Sequence, residues 1–103
     1  GIKVVQTSTA GTTIHTAVAG TTDGTYDEIW LWAQNNHTAA VTLTIEFGDA
    51  NTENNIIVSL ASKSGLIPIV PGLILRNSKT VKAFASNANV ITIHGFVNTM
   101  VTE

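Results

Sequence analysis

The sequence predicts an all-β fold: a two-sheet antiparallel sandwich, jelly-roll-like, with about eight strands. Three observations predict it. Apolar and polar residues alternate with a period of two, as where Val41, Leu43, Ile45 and Phe47 interleave with Thr42, Thr44 and Glu46. Turn signals punctuate these runs at short intervals: Asp23-Gly24, Asn35-Asn36, Gly48 to Asn55, Ser62 to Gly65, Pro71-Gly72, Asn77-Ser78 and Asn87 to Asn89. No segment sustains a helical apolar period, while β-branched Thr, Val and Ile are abundant.

The elements follow in order. Strands are expected at 3–7 and 12–18, both rich in β-branched residues. A strand at 26–34 sets Ile29, Leu31 and Ala33 on one face, and Trp30 and Trp32 on the other. Strands at 39–47 and 55–60 alternate cleanly, the second through Ile56, Val58 and Leu60. The stretch 66–75 is apolar throughout and is expected as two short strands, 66–70 and 73–76, around Pro71-Gly72. Strands at 80–85 and 90–97 complete the set. Many short strands with tight turns give a two-sheet sandwich. The chain of 103 residues is read as one domain, 1–103, with the Thr- and Gly-rich stretch 1–11 as a candidate N-terminal arm.

Several strands carry two apolar faces, where a lone sandwich buries one face of each sheet. Trp30 and Trp32 oppose Ile29 and Leu31; Val90, Thr92, His94 and Phe96 oppose Ile91, Ile93 and Val97. Either a β-bulge turns part of a strand over into one core, or the second face is covered by another chain. The second reading makes Trp30, Trp32, His94 and Phe96 candidate interface residues, since aromatics concentrate at interface cores.

Charged residues make up 12% of the chain and the net charge is −2. That is about half the usual charged fraction of soluble domains, a weak barrier to association. Sixteen threonines, with Asn and Ser, supply the polar surface. There are no cysteines, so disulfides and thiolate metal sites are excluded. No apolar run reaches the ~18–20 residues of a membrane helix, and the first residues lack a signal-peptide pattern.

Motifs for chemistry are sparse. His15, His37 and His94 are not spaced as a metal pair on one element. Asp49, Asn51 and Glu53 alternate in the loop 48–55 and are weighed as Ca²⁺ ligands, but Asn54 and Leu60 stand where the helix-loop-helix calcium motif needs Gly and Glu. Asp27 and Glu28 are adjacent, so on a strand they face opposite sides and form no carboxylate pair. No serine sits in a G-x-S-x-G elbow, and no phosphate-binding glycine loop occurs. Arg76, Lys79 and Lys82 are too few to make a nucleic-acid footprint. No enzyme activity, cofactor, metal, nucleic acid or membrane is expected.

Three stretches carry a resemblance. They are Asp27-Glu-Ile-Trp-Leu-Trp-Ala33 with Val41-Thr-Leu-Thr-Ile-Glu-Phe-Gly48, then Ile69-Val-Pro-Gly-Leu-Ile-Leu75, then Val81-Lys-Ala-Phe-Ala-Ser86 with Ala88-Asn-Val-Ile-Thr-Ile-His-Gly-Phe-Val-Asn98. In this order they resemble small β-sandwich virion proteins of tailed bacteriophages, of the head decoration (cement) type. The resemblance covers about residues 26–98. It implies a homotrimer, made in the host cytoplasm, that sits on the capsid surface and bridges neighbouring major capsid proteins. It carries no catalytic residues. The alternatives are a tail, neck or fibre subunit, and a carbohydrate- or receptor-binding module in which Trp30, Trp32 and Tyr26 stack on sugar rings.

Overall fold

The alternation read in the sequence becomes eight strands in two antiparallel sheets of four. A computed structural model of the chain describes residues 1–17, 25–49, 51–76 and 78–101. The strands are β1 (Ile2–Lys3), β2 (Thr12–Thr16), β3 (Thr25–Asn35), β4 (Val41–Gly48), β5 (Asn55–Leu60), β6 (Ile67–Leu75), β7 (Thr80–Ala85) and β8 (Ile91–Val101). The expected Asp23-Gly24 turn lies outside the described residues. A short 3₁₀ turn, Thr52–Asn54, leads into β5. No helix among the described residues is long and apolar enough to cross a membrane.

One sheet runs β1-β8-β3-β6 and the other β2-β7-β4-β5. The first strand therefore pairs with the last, the second with the seventh, the third with the sixth and the fourth with the fifth. A single long ribbon, folded back at the β4–β5 turn and rolled over, gives that order. It is the jelly roll, two Greek keys in a sandwich.

The core lies between the sheets. Ile29, Leu31 and Ala33 of β3 and Ile91 and Ile93 of β8 meet Val41, Leu43 and Ile45 of β4 and Val81, Ala83 and Ala85 of β7; all are buried. Burying an aliphatic side chain of this kind stabilises the fold by about 1.5–3 kcal/mol.

Two differences from the sequence expectation are informative. The stretch 66–75 forms one strand, not two. It lies at the sheet edge, where Pro68 and Pro71 forfeit no ladder bond that a neighbour needs. Opposite β3, Ile69 stands extra between Val70 and Pro68, and Gly72 between Leu73 and Pro71. The bulge at Ile69 lets the consecutive Ile69 and Val70 both be buried. That accounts for the two-sided apolar pattern at Ile69 and Val70, while Leu73 and Ile74 stay exposed.

The second difference is the stretch 1–11, expected as a candidate arm. It lies on the body of its own chain. Val4 is fully buried, donates to the Ile91 carbonyl at 2.8 Å and accepts from the Asn89 N–H at 3.0 Å. The segment then crosses to the other sheet, where Ala85 donates to the Gln6 carbonyl. The Thr9 hydroxyl and the Gly11 N–H donate to the buried Glu46 carboxylate, the latter at 2.6 Å. A carboxylate taking these donors is a favourable place for a buried charge.

Candidate functional site

β3 carries the site because its alternation is unbroken. Asp27, Ile29, Leu31, Ala33 and Asn35 are buried, while the intervening Glu28, Trp30, Trp32 and Gln34 are half-buried on the outer face. The β3–β8 register continues without a shift from Thr25 opposite Val101 to Asn35 opposite Ile91. The bulges of β6 do not turn the tryptophans inward, so the bulge explanation fails for this strand.

That register brings the four expected residues together. Trp30 lies opposite Phe96, and Trp32 opposite His94. Ring centroids are 6.5 Å apart for Trp30–Trp32, 5.9 Å for Trp30–Phe96 and 5.8 Å for Trp32–Phe96. Interplanar angles are 19°, 14° and 29° in the same order. In a column of three rings the outer pair would stand about twice as far apart as neighbours. Three nearly equal separations mean a triangular cluster with aligned planes. Phe96 is 51% exposed, and Ile74, opposite Glu28 on the same face, is 58% exposed.

The polar end of the cluster is held inside the chain. The Trp30 indole N–H donates to Glu28 Oε1 at 2.7 Å, and the Asn98 amide donates to the same oxygen at 3.3 Å. With its N–H satisfied, Trp30 presents apolar surface outward. Tyr26 lies further along the same face of β3, opposite Met100, and makes no ring contact with the cluster among the described residues.

The other candidates fall elsewhere. His15 of β2 meets buried Asp27 of β3 at 2.7 Å, linking the two sheets. The Thr99 hydroxyl donates to the other carboxylate oxygen of Asp27 at 2.7 Å. A nucleophile activated by a histidine would bond to the imidazole itself. Here the hydroxyl bonds the carboxylate, so these contacts form a clasp between sheets. No local pattern marks the pair, whose members are twelve positions apart on different sheets.

His37 sits in the turn after β3, its N–H donating to Asn35 Oδ1 at 2.9 Å. Among the described residues no three of His, Cys, Asp and Glu gather as a metal site. In the 48–55 loop, Asp49 Oδ1 accepts from the Asn51 N–H at 3.0 Å and from the Asn54 side chain at 2.9 Å. The Asn54 side-chain bond first, then the Asn51 N–H and the charge of Lys79, hold the Asp49 carboxyl below the usual aspartate value. The loop is braced by its own donors.

Comparison of this chain with protein-family models, with curated proteins and with solved structures found no match.

Proposed function

We propose that this chain is a structural subunit of a virion, a capsid decoration (cement) protein that bridges neighbouring major capsid proteins. It associates with itself as a homotrimer through the outer face of the β1-β8-β3-β6 sheet. The observation that carries the reading is the aromatic cluster of Trp30, Trp32 and Phe96 on that face, with His94 beside it. Single exposed apolar residues need no explanation, but a contiguous aromatic patch marks an interaction surface. Tryptophan is also enriched among residues that dominate binding energy. The low charge of the chain removes a barrier to close packing of copies.

The mechanism is mass action. A subunit that binds only the mature shell shifts the balance toward that state and raises the barrier to its rupture. A tail, neck or fibre subunit would use the same surface.

One observation favours a second reading, a carbohydrate- or receptor-binding module. The three ring planes agree within 29°, which suits stacking of flat apolar sugar faces.

Light scattering after size exclusion, across a dilution series, tests the assembly reading. A stable trimer is the expected result. A monomer at all concentrations, with tryptophan fluorescence that responds to glycans, would overturn it in favour of the second reading.

A further inference from the structure

β5 is the outer edge of the β2-β7-β4-β5 sheet. It pairs with β4 from Asn55 opposite Glu46 to Leu60 opposite Val41, without a shift in register. β4 and β7 lie between it and β2, and Val4 and Gln6 bond to β8 and β7, away from it. The Thr42 carbonyl accepts from the Ser86 N–H at 2.9 Å, so Thr42, Thr44 and Glu46 turn their backbone groups to β7. Successive residues of an antiparallel strand alternate in this. Val41, Leu43 and Ile45 therefore face β5, where they meet Leu60, Val58 and Ile56. Ile57 and Ser59 turn their N–H and C=O groups to the open side, and among the described residues nothing bonds to them there. The Asn55 carbonyl points the same way, while the Asn55 N–H donates to the Thr52 carbonyl.

Edge strands are usually protected by prolines, bulges or charges. β6 carries Pro68, Pro71 and two bulges. β2 carries a bulge between Thr13 and His15. β5, Asn-Ile-Ile-Val-Ser-Leu, has no proline, no bulge and no charged residue. Its outward Ile57 is 65% exposed. Its inward Ile56 and Val58 pack on the core yet stay half-buried, because the sandwich ends beside them.

This strand is complementary to itself. Two copies set antiparallel about a two-fold axis at Ile57 place Ile57 opposite Ile57, Ile56 opposite Val58 and Asn55 opposite Ser59. The two Ile57 residues exchange backbone bonds, and each Ser59 N–H donates to the Asn55 carbonyl of the other copy. Aliphatic side chains then meet on both faces, and Ile56 and Val58 are covered. Charge favours the same direction. Glu53 precedes β5 and Lys63 follows it, so antiparallel copies bring the acidic end of one to the basic end of the other. A parallel copy would set like charges together.

We infer that β5 pairs with β5 of a second copy of this chain, joining two four-stranded sheets edge to edge. The inference goes beyond the assembly reading. It uses a different surface and holds whether or not the aromatic face is an interface. An edge of six residues is a small contact, so this pairing needs a higher concentration than a broad apolar face does.

The triple variant Trp30→Ser, Trp32→Ser, Phe96→Ser separates the two contacts. In that background light scattering should find a monomer–dimer equilibrium, and hydrogen exchange at the Ile57 and Ser59 amides should slow as protein concentration rises. Adding Ile57→Lys sets like charges face to face on the axis and should leave a monomer at every concentration, with the far-UV spectrum kept. The chain has no cysteine, so single cysteines report the register. Mild oxidation should link copies of Ile57→Cys roughly tenfold or more faster than copies of the exposed Thr13→Cys on β2. Ser59→Cys should link no faster than that control. The inference is overturned if exchange at Ile57 and Ser59 does not change with concentration. It is equally overturned if Ile57→Lys leaves the dimer intact, or if Ile57→Cys links no faster than the control.

Discussion

The six-membered part of the Trp30 ring lies directly over Gly72: a Cβ added at Gly72 would stand 2.8 Å from Cζ2 and 3.0 Å from Cε2 of that ring. Gly72 also has φ of +83°, a backbone region that L side chains seldom adopt. The bulge of β6 thus does two things at once. It bends the edge strand, and it clears the floor on which the outer aromatic cluster rests.

Gly72→Ala should therefore be costly although the residue is not in the core. Strain at positive φ and the collision with Trp30 together should destabilise the fold by about 2–4 kcal/mol. Chemical denaturation measures the loss, and a shift in tryptophan emission should accompany it.

Replacing Trp30, Trp32 and Phe96 with Ser should leave the sandwich folded, because all three point away from the core. The far-UV spectrum should be kept. Each ring removed from a central contact should weaken self-association by about thirtyfold. Light scattering that finds the parent's assembly intact in the triple variant would rule out this face as the contact.

Asp27 is buried between the sheets with His15 and Thr99 on its two oxygens. Asp27→Ala leaves both partners without their acceptor and should cost about 2–3 kcal/mol. Asp27→Asn keeps an oxygen for Thr99 and should cost less. Urea unfolding of the two variants side by side gives the comparison.

Asp49 binds its proton less readily when folded than an ordinary aspartate, because Asn54 and Asn51 donate to it. A depressed carboxyl adds stability that is present above its unfolded pKa and is lost as pH falls through the folded value. The 48–55 loop should therefore loosen only below about pH 4. Titration of the Asp49 carboxyl by NMR should place its midpoint below that of a free aspartate; a midpoint at or above it would contradict the hydrogen bonding described.

Much of the architecture was legible in the chain because a strand has a period of two and a turn has its own residues. Val41 to Phe47 and Ile56 to Leu60 are strands, as their alternation requires. Trp30 and Trp32 share a face for the same reason, and so do His94 and Phe96. That these two pairs lie side by side depends on the pairing of β3 with β8, across more than sixty positions, which no local pattern encodes.

The strand class, the faces of the regularly alternating strands and the apolar excess on the outer side of β3 could all be read along the chain. Those are local properties, set by pleat and composition. The jelly-roll order, the single bulged β6 and the His15–Asp27 clasp came with folding. The seating of Val4 against β8 and of Gln6 against β7 came the same way. Each of these is a choice among non-local partners, made by which surfaces meet when the ribbon rolls up, and two residues far apart in sequence carry no mark of one another until they touch.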